Sequence, residues 1–494
     1  MSEPPEQPPK TPPKQPAKHL HGGVELEREG AEYFQKRQLE KGVAGWVLLA
    51  GLGVAYVISG DFAGWNFGLA QGGWGGLLIA TILMATMYLF MVLGLAELSS
   101  TISTTGGGYA FARRAMGPWG GFLTGTAILI EYAIAPAAIA NFIGAYVNSL
   151  IGLDGWYVYL FFYAIFIGLH LYGVGEALKL MFAITAVAVF ALVVFVIAAI
   201  PQFDAANLNN MPIDTSAAGA SSFLPFGAIG IWAAIPYAIW FFLAVEGVPL
   251  AAEESKNPAK DMPRGIIGAM LALIAFAGVI LVVAPGAAGS AFLQKSGNPL
   301  VEALEAPLAY NGQNLVSGFV NVVGLLGLIA SFFSIIYAYS RQTFALSRAG
   351  YLPKVLSITG SRKTPTLALI VPGIIGFVMA VINQGDLLIL VAVFGATTSY
   401  IMMTLSHIIL RFREPDLPRP YRTPGGVVTT GIALVLAVVA LIAGFLVDTR
   451  VLTISAVVFA VAIAYFGLYS RHHIVGTAPE EEFALIESAE SELH

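Results

Sequence analysis

The chain has no cysteine and few charged residues. Only 11% of its 494 residues are Asp, Glu, Lys or Arg, whereas a soluble protein carries about 25%. Without cysteine, neither disulfide bonds nor thiolate metal sites can form. Hydrophobic residues make up 57% of the chain, and the mean hydropathy is +0.76. This composition indicates a multi-pass membrane protein and excludes an ordinary soluble domain.

Motifs that carry enzymatic chemistry are missing as well. The sequence has no HExxH metal motif, no GxSxG nucleophile elbow and no Walker phosphate loop. A glycine-rich run at residues 105–109 (TGGGY) lacks the strand–loop–helix context of a nucleotide site. In membrane helices such small residues permit close packing instead. The histidines show no metal-ligand spacing. We therefore expect no enzyme, no metal site and no cofactor.

Long apolar runs dominate what remains. Twelve of them approach or exceed the ~20 residues that a helix needs to cross a bilayer. We number them span 1 to span 12, and they cover residues 43–70, 73–96, 119–147, 155–173, 177–200, 224–250, 265–288, 314–346, 364–383, 386–410, 427–447 and 450–470. Of the 25 Lys and Arg residues, all but Lys295 and Arg450 fall in the tails or on the side reached after even-numbered spans. This bias predicts that both termini are cytoplasmic.

Two apolar segments are interrupted by glycine and an acidic residue. They are residues 54–65 (VAYVISGDFAGW) and residues 240–249 (WFFLAVEGVP). A carboxylate near the bilayer centre costs a few kcal/mol, so such residues are rarely there only for packing. A helix broken in lipid must also direct its freed N–H and C=O groups at protein, water or a ligand. Two such breaks in corresponding positions predict the substrate site of a transporter.

Several segments resemble the amino acid–polyamine–organocation superfamily. They are residues 96–100 (AELSS), 107–111 (GGYAF), 120–122 (GGF), 252–258 (AEESKNP), 262–264 (MPR), 340–341 (SR), 345–354 (ALSRAGYLPK) and 364–365 (TP). Within that superfamily, residues 58–68 (ISGDFAGWNFG) and 240–250 (WFFLAVEGVPL) resemble the ethanolamine permease branch. One departure from amino acid carriers is Asp61, which stands where those carriers have an aliphatic residue after Ser-Gly.

The resemblance implies an all-α integral membrane protein with twelve transmembrane helices and a leucine-transporter-like 5+5 inverted repeat. In that fold spans 1 and 6 are unwound at the centre. The implied division is a cytoplasmic tail at 1–42, a first repeat at 43–200, a second repeat at 201–411, peripheral spans 11 and 12 at 412–470, and a cytoplasmic tail at 471–494. Within the first tail, a Pro- and Lys-rich run at 4–18 predicts disorder, and a charged stretch at 25–41 predicts an amphipathic surface helix.

Asp61 is the central residue of the predicted site. In amino acid carriers of this type, freed N–H groups of broken span 1 hold the substrate carboxylate. A fixed carboxylate there would repel that group and attract an ammonium. Two unit charges 4 Å apart interact by about 4 kcal/mol at an effective dielectric of ~20. Asp61 thus favours a small amine such as ethanolamine over a zwitterion, although it could instead cap the second half of span 1.

The remaining predicted roles come mainly from resemblance. The predicted substrate-binding residues are Ser59, Gly60, Asp61, Phe62, Gly64, Trp65, Glu131, Trp240, Phe241, Ala244 and Glu246. Trp240 matches a lid tryptophan of arginine/agmatine exchangers, and its indole suits an ammonium; packing is the alternative. Glu246 matches a coupling or gating acid. Glu131 fits a structural hydrogen-bonded role equally well.

The coupling ion is left open by the sequence. Ser331 matches a position that helps to bind sodium in some relatives of the fold. Its alternative role is a hydroxyl bonded to its own helix. The lysine that some proton-coupled relatives carry in span 5 is absent after Lys179. Proton and sodium coupling both remain possible.

The predicted function is therefore secondary active transport, by symport or exchange. We expect a multi-pass protein of the cytoplasmic (inner) membrane that imports ethanolamine or a closely related small cationic amine by alternating access. Its partners would be that amine and the lipid bilayer, with no nucleic acid. One alternative is an amino acid permease or exchanger of the same fold. A channel or transport-like sensor is a second alternative, but the sequence has neither a charged ring of the channel type nor an appended signalling domain.

Overall fold

The computed structural model describes residues 19–21, 24–27, 33, 36, 37, 42, 44–172, 174–382 and 385–476. Its α-helices are Trp46–Val57, Ser59–Phe62, Phe67–Thr101, Gly108–Ile151, Trp156–Tyr172, Val174–Ala199, Ala205–Leu208, Gly227–Trp240, Pro258–Ala288, Ser290–Leu293, Pro299–Glu305, Leu315–Arg348, Thr366–Ile382, Gly385–Arg413, Val427–Val447 and Thr449–Leu468. Its 3-10 segments are Ile200–Gln202, Val245–Glu254, Lys354–Ser357 and Ser470–His472, and its strands are His19–His21, Val24–Glu27 and Ile474–Val475.

The helices follow the apolar runs of the sequence. Within the described residues, nine helical segments are long and apolar enough to cross a membrane. Three shorter apolar helices, Trp46–Phe62, Trp156–Tyr172 and Thr366–Ile382, coincide with predicted spans 1, 4 and 9. Helices prevail because a backbone in lipid can satisfy its hydrogen bonds only within the segment itself. Of the predicted twelve spans, the structure therefore shows nine long candidate membrane helices within an all-helical bundle.

Glycines mark two predicted boundaries inside long helices. Gly73 has φ 65° within Phe67–Thr101, and Gly117 has φ 75° within Gly108–Ile151. Positive φ is readily adopted by glycine because it has no Cβ. Each glycine turns the chain just before the predicted start of span 2 or span 3. Consequently, residues before Gly73 belong to the second half of span 1.

The spans pack around a centre formed by spans 1, 3, 6, 8 and 10. Span 3 packs along spans 8 and 10, span 2 along span 6, and span 1 along span 7. Span 3 is almost wholly buried, whereas span 12 is largely exposed. This gradient is expected of a bundle whose outer helices face lipid.

The tails meet on one side of the bundle. Strand Val24–Glu27 pairs antiparallel with His19–His21 and parallel with Ile474–Val475. We call this side of the bundle the strand side. The helix predicted from residue 25 is wrong at its start, because residues 474–475 offer strand Val24–Glu27 a backbone partner that an isolated tail would lack. The run predicted to be disordered, residues 4–18, lies outside the described residues.

Buried ion pairs join spans 6 and 8 on the strand side. Arg341 Nη2 lies 2.7 Å from Glu254 Oε1, and Arg348 Nη2 lies 2.7 Å from Glu253 Oε1. The hydroxyl of Tyr337 also donates to Glu254. Since buried charges are tolerated only when they are paired and hydrogen-bonded, these contacts fix the end of the Val245–Glu254 segment against span 8.

Candidate substrate site at the broken helices

Span 1 breaks between residues 63 and 66. The helix ending at Phe62 is followed by Ala63 in an extended conformation and by Gly64 at φ 97°. Helix then resumes at Phe67. The Asn66 side chain supports the break, since its Oδ1 accepts from Gly64 N at 3.2 Å and its Nδ2 donates to the Leu293 and Ser296 carbonyls at 2.8 Å each. The break therefore lies just after Asp61 rather than at it.

Span 6 breaks at residues 241–244. Its first helix ends at Trp240, and Ala244 adopts φ 82°, an uncommon conformation for a residue other than glycine. The chain continues as the 3-10 segment Val245–Glu254. Both predicted interruptions are thus present, and each lies in the interior of the bundle.

The two breaks are in direct contact. A Cβ on Gly60 would lie 2.4 Å from the Trp240 carbonyl oxygen, and one on Gly64 would lie 2.5 Å from Trp240 Nε1. The indole Nε1 of Trp240 donates to the Ala63 carbonyl at 3.0 Å. The structure therefore requires glycine at both positions, because any side chain would push spans 1 and 6 apart.

Aromatic rings surround this contact. Trp65 stacks on Phe241 with ring centroids 5.7 Å apart. The Phe62 ring packs away from Trp240, against Gly324 and Gly327 of span 8. The buried Nε1 of Trp65 has no hydrogen-bond partner among the described residues. Trp65 thus offers a donor within the break, whereas Phe62 serves to pack span 1 on span 8.

Asp61 is a buried and unpartnered carboxyl group. It is 0% exposed, and neither of its oxygens accepts a hydrogen bond from any described residue. The capping alternative is not realised, because helix Phe67–Thr101 has Asn66 at its N-cap. Asp61 instead lies in the last turn of a half-helix, where the dipole favours cations. Burying a carboxyl group without a hydrogen-bond partner is costly, so Asp61 is a candidate functional group.

A second acidic group lies where spans 3, 6 and 10 meet. The Glu131 and Glu246 side chains are bridged by Tyr400, whose hydroxyl lies 3.4 Å from Glu131 Oε1. Tyr132 donates to Glu246 Oε1 at 3.1 Å, and Tyr400 donates to Glu246 Oε2 at 3.2 Å. The Tyr400 hydroxyl lies 2.7 Å from that of Tyr88 in span 2. We call these five residues the acid–tyrosine cluster. The cluster thus brings two buried carboxyl groups onto one tyrosine hydroxyl, and two like charges so placed would repel each other.

Ser331 connects spans 1 and 8. Its Oγ donates to the Ala55 carbonyl at 2.7 Å and accepts from Ser59 N at 2.9 Å. The alternative of a bond to its own helix is therefore wrong: both partners belong to span 1. Ser59 N lies at the junction of helices Trp46–Val57 and Ser59–Phe62, and there it donates to the Ser331 hydroxyl.

Most of the predicted site residues fall into three groups in the structure. Gly60, Gly64, Trp65, Trp240 and Phe241 form the contact between the breaks. Glu131 and Glu246 form the cluster with tyrosines, and Ser59 meets Ser331. Ala244 provides the turn of span 6. Sequence reasoning missed Tyr88 and Tyr400, which lie on distant spans and carry no local motif that could reveal them. No group of His, Asp or Glu in the described part of the chain has the arrangement of a metal site.

Comparisons with known proteins agree with this architecture. The sequence profile of the family described as amino acid permease matches residues 47–469. An uncharacterized transporter of Rhizobium meliloti is 28% identical over 80% of this chain and 85% of its own length. The branched-chain amino acid permease of Bacillus subtilis is 26% identical, covering 81% of this chain and 86% of that protein. The methylthioribose transporter of Bacillus subtilis is 29% identical, covering 75% and 79% respectively.

The family match covers both breaks and every predicted span except the first few residues of span 1 and the last residue of span 12. The matched relatives are transporters. Together with the helical bundle, this shows that the chain belongs to the amino acid permease family and is a multi-pass membrane transporter rather than an enzyme.

Proposed function

We propose that this protein is a secondary transporter that moves an amino acid across the cytoplasmic membrane by alternating access. The observation that carries the proposal is the contact between two broken spans, Gly60 and Gly64 against Trp240. Broken helices at mid-membrane leave main-chain groups free to bind a small charged solute. The branched-chain permease among the relatives supports an amino acid as cargo.

Helix packing supports a 5+5 inverted repeat for this transporter. A repeat of this kind exchanges span 1 with span 6, span 2 with span 7, and so on. The contact of span 1 with span 7 then corresponds to that of span 6 with span 2, and both are extensive. The contact of span 3 with span 10 likewise corresponds to that of span 8 with span 5, and both are present. Alternating access would then be a movement of one repeat element against the other.

Trp240 serves as the lid in this proposal. Its indole bridges the two breaks through the bond to the Ala63 carbonyl. Releasing that single hydrogen bond would free the ring to swing over a bound solute. Such a bond contributes only about 0.5–1.5 kcal/mol, so substrate binding can displace it.

Protons, rather than sodium, drive transport in this proposal. The Ser331 hydroxyl already has partners in Ala55 and Ser59, so a sodium ion at this position would have to break both bonds. The acid–tyrosine cluster offers an alternative carrier, because the buried carboxyl groups of Glu131 and Glu246 lie on one tyrosine hydroxyl next to the span 6 break. In this proposal the pair carries the proton, since two charged carboxylates so placed would repel each other.

Uptake into proteoliposomes tests the function. Labelled L-leucine, methylthioribose and ethanolamine would be supplied while proton and sodium gradients are imposed separately. We expect proton-driven accumulation of L-leucine. Glu246→Gln should abolish the response to the proton gradient while exchange of internal for external substrate persists. Glu302→Gln, a change at a half-buried acid outside the cluster, is the control. Sodium-driven uptake would refute the coupling, and lack of L-leucine uptake would refute the cargo.

Ethanolamine is the second candidate cargo. The observation that favours it is the unpartnered carboxyl of Asp61, which suits an ammonium and repels a carboxylate. An excess of ethanolamine should then block uptake of labelled L-leucine completely, whereas unlabelled L-leucine should compete poorly against labelled ethanolamine. The opposite pattern would leave the amino acid as the cargo.

A further inference from the structure

A cavity of about 370 Å³ lies on the side of the bundle opposite to the strands. It is bordered by the start of helix Phe67–Thr101, by spans 3 and 6, by the segment after span 7 and by the start of span 10. Its volume falls in the usual range of small-molecule sites, about 300–1,000 Å³. We call it the outer cavity.

Aromatic side chains separate the outer cavity from the broken helices. Phe67, Phe142 and Tyr237 line the cavity. Phe142 also lies edge-on to Trp240, with ring centroids 6.3 Å apart. Phe67 packs against both Phe142 and Tyr237. The cavity therefore lies one aromatic layer away from the Trp240 lid.

Opposite charges border the same cavity without pairing. Lys295 and Asp386 both line it. Neither forms an ion pair with the other or with another residue in the described part of the chain. The Asp386 carboxylate accepts a hydrogen bond from its neighbour Leu387 N at 2.8 Å. Lys295 is one of two cations among the segments predicted to lie outside the cell. The other, Arg450, is held by Asp448 at 2.6 Å.

A cation and an anion on one small cavity match a solute that carries both charges. We propose that the outer cavity is a first recognition site for a zwitterionic amino acid, with Lys295 facing the carboxylate and Asp386 facing the ammonium. The amides of Gln71 and Gln294, which also line the cavity, supply further polar contacts. This proposal rests on the proposed function and names its substrate class, since a simple amine would use Asp386 alone.

The site would act before the lid opens. A solute held there lies against the aromatic layer that contacts Trp240, so its local concentration rises where span 1 meets span 6. Because the charges border an open cavity, their effect is screened by salt. Binding should therefore weaken as ionic strength increases.

The test compares Lys295→Met, Asp386→Asn and the control Lys260→Met, a change at an exposed cation on the opposite side of the bundle, in proteoliposomes. For L-leucine we expect Lys295→Met and Asp386→Asn each to raise KM about two- to fivefold with kcat unchanged, a size typical of exposed ion pairs. For ethanolamine only Asp386→Asn should raise KM. Lys260→Met should change neither. Raising the salt concentration should increase the KM of the unaltered protein and reduce the difference from Lys295→Met.

Equilibrium binding of labelled L-leucine to the purified protein separates the two proposals. If transport occurs but Lys295→Met and Lys260→Met have the same KM, the outer cavity proposal is wrong while the transport proposal stands. If L-leucine binds with a Lys295-dependent affinity but is not transported, the cavity proposal stands and the amino acid is not the cargo. Absence of both binding and transport refutes both.

Discussion

At the scale of single residues, Asp61 is the most unusual group in the molecule. Most buried carboxylates in this chain have strong partners: Glu254 has Arg341, and Glu253 has Arg348. Asp61 has none among the described residues, although it is wholly buried. A protein rarely tolerates this unless the site is occupied or protonated during function. A substitution of Asp61 is therefore well suited to distinguish an amine cargo from an amino acid cargo.

Asp61→Asn should separate the two cargo candidates. If the cargo is an amine, loss of the charge removes a charge-assisted contact of about 1.5–3 kcal/mol, and KM for ethanolamine should rise about 10- to 100-fold. Uptake of L-leucine should be unchanged or increase, because repulsion of its carboxylate is removed. Initial rates at matched expression measure both. Asp214→Asn, in the exposed loop before span 6 where Ser216 hydrogen bonds lower the pKa of Asp214, is the control. Unchanged ethanolamine KM would remove Asp61 from the site.

At the scale of elements, the paired breaks depend on glycine for two distinct reasons. Gly64 needs both a left-handed backbone, at φ 97°, and space, since a Cβ would lie 2.5 Å from Trp240 Nε1. Gly152 at the end of span 3 has φ 70° but nothing within 4 Å of its Cβ position. A comparison of substitutions at these two glycines therefore distinguishes the effect of backbone strain from the effect of the contact with Trp240.

Gly64→Ala should impair transport, while Gly152→Ala should only lower stability. Both changes place a Cβ on a left-handed backbone, which costs roughly 1–2 kcal/mol. Only the first also disrupts the hydrogen bond from Trp240 to Ala63. We expect a larger fall in Tm for Gly64→Ala than for Gly152→Ala, and a loss of uptake for Gly64→Ala alone. Equal uptake in the two variants would show that the Trp240 contact is not needed for transport.

The ion pairs between spans 6 and 8 give an element-scale prediction about stability. Arg341→Met leaves Glu254 buried without its charge partner, and such a change typically costs about 3–5 kcal/mol. Arg114→Met breaks a partly exposed pair with Glu414, which should cost less than about 1 kcal/mol. Thermal unfolding in detergent measures the difference. The paired role of Arg341 would be contradicted if both variants unfolded at the same temperature.

At the scale of the whole molecule, the two tails pair with each other although they are some 450 residues apart in the sequence. Leu26 faces Ile474 in the parallel pairing of their strands, and Val475 N donates to the Ala349 carbonyl at the end of span 8. Joining residues 26 and 474 in this way requires both segments to lie on the same side of the bundle. An even number of spans would satisfy that requirement.

Cysteine cross-linking can test this arrangement without interference, because the chain has no cysteine. A variant with Leu26→Cys and Ile474→Cys should form a disulfide on mild oxidation, since neighbouring strands bring Cα atoms within the usual 4.4–6.8 Å for a disulfide. Gel mobility after proteolysis between the two positions detects the link. A variant with Leu26→Cys and Leu308→Cys is the control, since Leu308 precedes span 8 on the opposite side. If only the control variant formed a disulfide, the pairing of the two tails on one side of the bundle would be wrong.

The bundle itself was largely predictable from the sequence. Apolar runs fix where helices can lie, and glycines such as Gly73 and Gly117 fix where they bend. The breaks in spans 1 and 6 were also predictable, because glycine and an acid interrupt an apolar run in each. The position of the first break, after Asp61, was not, since it depends on Asn66 reaching the Leu293 and Ser296 carbonyls.

The acid–tyrosine cluster shows what local sequence cannot reveal. Glu131, Glu246, Tyr88 and Tyr400 lie on four different spans, and only packing brings them within hydrogen-bonding distance. Ser331 likewise gained partners in span 1 rather than in its own helix. The strand at residues 24–27 pairs with residues 474–475, some 450 residues later in the chain. Local sequence could not reveal a partner at that distance.

Composition and the lengths of the apolar runs by themselves determined that this chain is a membrane-spanning helical protein, because lipid permits few ways to satisfy a backbone. The tertiary structure alone decided which polar groups face one another: an acid left without a partner, two acids on one tyrosine hydroxyl, and opposite charges around an outer cavity. The physical reason is that hydrogen bonds and charge pairs act over a few ångströms in space, and such distances are set by packing rather than by separation along the chain.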